Sequence, residues 1–330
     1  MISEAAKGIY TFPIPLPENP LKWLNCYVVT GRDGGRNLLI DAGFNRAECR
    51  EALKAGMDEL GLCPENTDVF FTHMHSDHTG NAGYLEKLGF KLIMGARDYE
   101  ELHYAPKSVK ALDMKKRSQL MGTPSEVIDT ALSQNHALLY TSEPFQAVLV
   151  KDGDILSYGG RSLECVDTPG HTPGHLCLYD REHKLMFLGD HILFDISPNI
   201  VFWPSFPHSL QAYFDSLQKL KTYPIETALP AHRTTGSKTV AERIDELLAH
   251  HRARLEETLQ AVAAEPGSTV YEIAGHMTWR IRARNWDEFP AGQKWFAVSE
   301  CLAHLEHLEG QGLLSSRKDE HGVLKFYRKA

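Results

Sequence analysis

Thr72-His73-Met74-His75-Ser76-Asp77-His78 packs four strong metal-ligand side chains into six residues, in the pattern H-x-H-x-D-H. Chance matches to such a pattern are rare, so a solvated polar loop is the weaker reading. In an extended segment side chains alternate, which puts His73 and His75 on one side. Asp77 and His78 then follow on a turn, where they can point at a second position. Upstream, Val69-Phe70-Phe71-Thr72 is a short apolar run of β-formers and predicts a buried strand. Downstream, Thr79-Gly80-Asn81-Ala82-Gly83 opens a predicted helix through Tyr84-Leu85-Glu86-Lys87-Leu88. The candidate ligands therefore sit where a strand ends and a helix begins.

The same context recurs three times. Val166-Asp167-Thr168-Pro169-Gly170-His171-Thr172-Pro173-Gly174-His175 is a strand end followed by a loop pinned by proline and glycine. Phe187-Leu188-Gly189-Asp190-His191 is an apolar strand that ends in a carboxylate. Thr227-Ala228-Leu229-Pro230-Ala231-His232 is another that ends in a histidine. Singly, a histidine after a strand is more often a hydrogen-bonded structural residue. Together with the first motif they suffice for a two-metal hydrolytic site, which wants about seven N/O ligands with one bridging carboxylate.

The set HMHSDH, TPGHTPGH, LGDH and LPAH resembles the metallo-β-lactamase superfamily, in the branch that includes glyoxalase II-type thioesterases. The resemblance runs from about Tyr10 to His232, with the motifs in family order. It implies an α/β fold, a four-layer αβ/βα sandwich with the metals at one edge between two β-sheets. Carried over by position, His73, His75 and His171 would hold one metal. Asp77, His78 and His232 would hold the other, with Asp190 bridging and His175 supporting rather than ligating. The full ligand set favours an active hydrolase over a degenerate binding module.

Imidazoles and carboxylates suit zinc, and also iron or manganese. Two such ions can supply hydroxide at neutral pH and polarise a carbonyl or phosphoryl oxygen. No serine or cysteine nucleophile is then needed, and the chain has no G-x-S-x-G elbow.

A length of 330 residues predicts two domains. A net charge of -8 argues against bulk attraction to nucleic acid or anionic membrane. Cys26, Cys49, Cys63, Cys165, Cys177 and Cys301 are scattered without a C-x-x-C pair, which predicts buried free thiols and a reducing compartment. No signal-peptide pattern or membrane-length apolar run is apparent, so the expected location is the cytoplasm. Gly8–Phe12, Asn25–Val29 and Asn37–Asp41 read as strands, with Asp33-Gly34-Gly35 as a hairpin turn. Asp41-Ala42-Gly43 is either a plain turn or, in the resembled family, part of the site's surroundings.

The predicted catalytic domain spans 1–238, with a helical insertion at about 98–144 expected to act as a lid. In that insertion Val109, Leu112, Leu120 and Met121 keep helical apolar spacing, while Tyr99, Leu102, His103 and Tyr104 read as core. Phe202 and Trp203, in a proline-rich loop after Asp190, are candidates for a substrate-pocket wall. Residues 239–330 read as a small C-terminal domain: a long helix from Val240 to about Ala264, a capping box at Thr269–Glu272, a helix over 290–309 and a hairpin. That pattern is winged-helix-like and resembles the domain appended in lactamase-beta-2-like members. Phe296, Leu302, Leu305 and Leu308 are expected to face inward.

Nucleic-acid binding is disfavoured, because Glu300, Glu306 and Glu309 outnumber Lys294 on the candidate recognition helix. Arg280, Arg282, Arg284, Arg317, Lys318, Lys325, Arg328 and Lys329 read as a solvated basic surface. The expected role of this domain is packing, against the catalytic domain or in a homodimer. The reading is thus a binuclear-metal hydrolase of a thioester or related ester, by metal-bridging hydroxide attack, with Asp77 orienting the hydroxide and taking part in proton transfer. The alternatives are a phosphodiesterase or single-stranded RNA endonuclease, and a ligand-binding regulator without catalysis.

Overall fold

The computed structural model describes residues 1–31, 34–280 and 283–329. Asp33 of the predicted turn and Arg282 of the basic run lie outside the described residues. The chain divides into two units. The first comprises Met1–Tyr104, Tyr140–Pro198 and Asp215–Ile244; the second comprises Ala105–Leu139, Asn199–Phe214 and Asp245–Ala330.

The first unit carries two sheets. One has seven strands in chain order: β1 (Ser3–Ala6), β2 (Ile9–Pro15), β3 (Trp23–Val29), β4 (Asn37–Ile40), β5 (Thr67–Phe71), β6 (Lys91–Gly95) and β7 (Val148–Val150). β1 to β4 pair antiparallel and β4 to β7 parallel. The parallel half is linked by helices: α1 (Ala47–Glu59) before β5, α2 (Ser76–Thr79) and α3 (Ala82–Lys87) before β6, and α4 (Ala96–His103) after it. The other sheet holds β8 (Ile155–Tyr158), β9 (Arg161–Asp167), β10 (Leu176–Asp180), β11 (Leu185–Gly189) and β12 (Thr227–Pro230), in the order β12-β11-β10-β9-β8.

Alternation along the strands makes the layers. On β5, Val69 and Phe71 enter a core shared with Cys49, Leu53 and Met57 of α1, while Phe70 enters a second core. On β3, Leu24, Cys26 and Val28 go to the first core and Tyr27 and Val29 to the second. The second core is completed from the other sheet by Leu163, Cys165, Leu178, Phe187 and Leu229, so it lies between the sheets. The opposite face of that sheet buries Cys177, Tyr179, Met186 and Leu188. Tyr179 donates there to the carbonyl of Pro224. This is the expected αβ/βα sandwich. All six cysteines are free, and all but Cys63 are buried.

The second unit gathers α5 (Lys107–Leu120), α6 (Ser125–Ser133) and α7 (His136–Leu139) with C-terminal elements. α8 (Ser209–Lys221) and α9 (Val240–Ala264) begin in one unit and end in the other. Beyond them come β13 (Ser268–Thr269), α10 (Val270–His276), α11 (Ala291–Gly310), β14 (Leu314–Lys318) and β15 (Leu324–Arg328), with sheet order β13-β15-β14. The capping box is formed: Thr269 accepts from the Glu272 amide, and Glu272 accepts from the Thr269 amide. α6 packs on α11, so helices of the 98–144 insertion are knitted into this unit.

Three sequence expectations change. Phe296 is exposed, whereas Leu302, Leu305 and Leu308 are buried. Val109, Leu112 and Leu120 face solvent, and α5 instead buries Met114 and Ser118. The acidic residues of α11 are not a free negative face: Glu300 lies beside Arg254, Glu306 accepts from the His208 amide and Glu309 from Ser316. Among the described residues, no helix is long and apolar enough to cross a membrane.

Candidate metal centre

Every histidine and carboxylate expected to ligate is brought to the C-terminal ends of the strands. Three overlapping groups have donor atoms within 4.8 Å of one another: His73, His75 and His171; His73, His78 and Asp190; Asp77, His78 and His232. His73 and His75 leave the end of β5, Asp77 and His78 lie on α2, His171 on the loop after β9, Asp190 after β11 and His232 after β12. Two of these groups are the triads that the resemblance assigns to separate ions, and the third, with Asp190, overlaps both.

Asp190 occupies the junction. Its Oδ1 is 3.6 Å from His78 Nε2 and 3.4 Å from His232 Nε2, while its Oδ2 is 3.7 Å from His171 Nε2. Asp77 Oδ2 is 3.4 Å from His232 Nε2 and 3.8 Å from His78 Nε2. His78 Nε2, His232 Nε2 and Asp190 Oδ1 are buried and make no hydrogen bond among the described residues. Buried polar atoms are normally satisfied, so a cluster left open needs a reason. The separations are those of donors sharing a cation: ligands about 2.0–2.1 Å from tetrahedral zinc stand about 3.4 Å apart. The residues therefore fit a divalent metal.

Three of the rings, His78, His232 and His73, are aimed by the bond the other nitrogen makes, as is usual for metal-binding histidines. His78 Nδ1 donates to Asp41 Oδ2 at 2.8 Å, and His232 Nδ1 donates to the carbonyl of Trp23 at 2.9 Å. His73 Nδ1 faces Thr72 Oγ1 at 3.1 Å, and Thr72 donates in turn to Asp41 Oδ2 at 2.8 Å. Both ring nitrogens of His175 are engaged within the protein. Its Nε2 accepts from the Asp190 amide at 3.1 Å and its Nδ1 donates to Thr168 Oγ1 at 2.8 Å, so it holds the backbone of Asp190. Only glycine fits at 189: φ is +51°, and a Cβ would lie 2.4 Å from His175 Nε2.

The electrostatics differ across the cluster. Burial, then repulsion from neighbouring imidazoles, holds His73 well below the usual histidine range and His75 at about 3. Burial also pushes His78 and His232 down, but the carboxylates around them prevail and raise both. For Asp77 burial pushes upward, yet His78 and His232 outweigh it and leave the carboxyl at about 2. Asp190 is lowered in the same way.

Asp41 reads in the sequence as either a plain turn or part of the site's surroundings, and Asp98 only as the start of the insertion. Asp41 is buried at φ 61° and accepts from the Thr72 amide as well as from His78 and Thr72 Oγ1. Asp-Ala-Gly at a strand end was the available signal. Asp98 is buried on α4, and nothing in its neighbours announces it. The two pocket candidates are placed in the second unit: Phe202 packs at the edge of its core, and Trp203 pairs with Phe206 in an isolated bridge.

Residues 24–232 match the profile of the metallo-beta-lactamase superfamily, and residues 255–330 that of a metallo-beta-lactamase-like C-terminal domain. The chain is 28% identical over 216 residues to the acyl-coenzyme A thioesterase MBLAC2 of Gallus gallus, covering 63% of this chain and 72% of the relative. It is 24% identical over 212 residues to an atrochrysone carboxyl ACP thioesterase of Aspergillus fumigatus, covering 64% of this chain but only 51% of that protein. A crystal structure of a metallo-beta-lactamase family protein from Thermus thermophilus superposes with TM-score 0.80 at 27% identity, over 98% of this chain and 99% of the other. By its strand-end ligand motifs, its two-sheet sandwich and a family match across most of the first unit, the chain belongs to the metallo-beta-lactamase superfamily.

Proposed function

We propose that the protein is a hydrolase of a thioester or related ester that works with two divalent metal ions, zinc first among them. The observation that supports two ions is Asp190, whose two carboxylate oxygens face different histidine sets. His73, His75 and His171 would hold one ion and Asp77, His78 and His232 the other, with Asp190 shared. When bound, such ions supply hydroxide near neutral pH and an electrophile for the carbonyl oxygen.

The residues of the chain do the rest. Asp77, kept ionised beside His78 and His232, can hold a proton of the attacking water at a carboxylate oxygen. Water oxygen bonds to the acyl carbon, the C–S bond breaks, and the sulfur leaves with a proton as the free thiol. His175 and Asp41 touch no reacting atom and keep Asp190 and His78 in place. The thioesterase relatives support an acyl-thioester substrate over a β-lactam or a phosphodiester.

The test is a panel assay of zinc-, iron- and manganese-loaded protein against acyl-coenzyme A esters, a lactone, bis-p-nitrophenyl phosphate and single-stranded RNA. Thiol release from the coenzyme A esters is expected to exceed the other activities by at least tenfold. Faster cleavage of the phosphodiester or RNA would replace the reading with a nuclease. No turnover of any substrate by protein carrying two ions would favour a regulator.

A further inference from the structure

Asp98 is wholly buried in the first unit and touches neither set of candidate ligands. Its Oδ2 accepts from the Met74 amide at 2.9 Å and from Thr172 Oγ1 at 2.6 Å; its Oδ1 accepts from the Gly174 amide at 2.6 Å. Met74 lies between His73 and His75. Thr172 follows His171, and Gly174 precedes His175. One carboxylate thus ties the segment that carries two histidines to the loop that carries the third. A further bond between these segments runs from the Leu176 amide to the Thr72 carbonyl, at the strand ends. The approach is tight: a Cβ on Gly174 would lie 2.5 Å from the Asp98 amide nitrogen.

We propose that Asp98 is a positioning residue for the three-histidine half of the centre, setting the separation of His73 and His75 from His171. The proposal rests on the two-metal reading above. A carboxylate suits the position because all three partners are donors and both oxygens are acceptors. An asparagine of the same size would turn an NH2 group toward at least one donor. The other half has supports that do not involve Asp98, Asp41 for His78 and the Trp23 carbonyl for His232. A change at Asp98 should therefore be felt on one side only.

The experiment isolates each half. In a His232→Ala background the remaining ion is the one on the three-histidine side; in a His171→Ala background it is the other. Zinc affinity is measured by competition with a chromophoric chelator, with and without Asp98→Asn. We expect a 10–100-fold loss in the first background, the range found for groups that orient metal ligands, and less than threefold in the second. Thr172→Val should give a smaller loss of the same kind and Thr172→Ser almost none. Those two variants carry the test if Asp98→Asn does not fold. Equal losses in both backgrounds, or none in either, would overturn the proposal while leaving the two-metal reading intact. If the unaltered protein bound fewer than two zinc ions, both would fall together.

Discussion

Two clusters of buried histidines stand among the described residues, one in each unit, and only the first gathers three or more candidate donors around one point. In the second unit His251 and His304 are fully buried, as are the rings around Asp190 in the first. His304 Nδ1 donates to the Glu300 carbonyl at 2.8 Å, so its Nε2 accepts from His251 Nδ1 at 3.2 Å. Three of the four ring nitrogens are thereby engaged with each other or the backbone. The nearby carboxylate, Glu300, sits 3.6 Å from the Arg254 guanidinium. In the first unit His73 and His75 also face each other, at 3.0 Å, but His171 joins them and two carboxylates converge, Asp77 from α2 and Asp190 from the end of β11. Burial and histidine content do not separate the clusters. Convergence of third and fourth donors does.

The strongest way to break this contrast is Asp190→Ala. It should remove or displace both ions, taking the metal content from about two toward none, with turnover lost; elemental analysis reads this directly. Two firmly held ions in the variant would show that Asp190 bridges nothing. Asp41→Asn is gentler, since asparagine tolerates the positive φ there. It should lower metal affinity about 10–100-fold by loosening His78, measured by chelator competition, with little change in the fold by circular dichroism.

His304→Ala is the counterpart in the second unit. Metal content should stay unchanged, while stability falls by about 1–3 kcal/mol because the His251 donor is left unsatisfied in the interior. Denaturant titration together with elemental analysis decides it, and a lost ion would mean that the second cluster binds metal after all.

The smallest effect is in pH. Burial holds His304 at about 3 and His251 well below 6.5. Below about 6.5 the unfolded chain binds protons that the folded rings refuse, so their contribution to stability is lost as pH falls toward 3. Glu300 opposes this, because burial raises its carboxyl to about 7 and the folded state takes up that proton first. Comparing metal-loaded wild type with His304→Gln between pH 7 and 5 should show the shallower decline in the variant. A steeper decline would place the charge elsewhere.

The site was largely legible because its ligands are strong types in short motifs at strand ends. H-x-H-x-D-H carries four of them in six residues just beyond the end of β5. The residues that aim those ligands were harder. Asp41 acts 37 positions from His78 and Asp98 acts 74 from Thr172, through contacts that exist only once the strands align. The helices of 105–139 were visible as periodicity, but not their inward face. Val109, Leu112 and Leu120 share a stripe that turned out to be solvent-facing, since Met114, Ser118 and Met121 are buried instead. Apolar spacing finds a helix without saying which neighbour will cover it. Phe296 misled in the same way, as an aromatic residue on a helix whose leucines, Leu302, Leu305 and Leu308, are all buried.

The packing of α6 on α11 has a consequence for synthesis. A ribosome making roughly 5–20 residues per second completes α6 about 10–30 s before α11 emerges. Throughout that interval Met121, Ile128 and Ala131, all buried in the finished protein, have no C-terminal helix to cover them. The last ligand-bearing strand of the first unit, β12, is made by residue 230, whereas the second unit waits for α11 and β15. Slowing translation after codon 139 should therefore lengthen exposure to chaperones and proteases, and a circular permutant that places residues 245–330 first should shorten it.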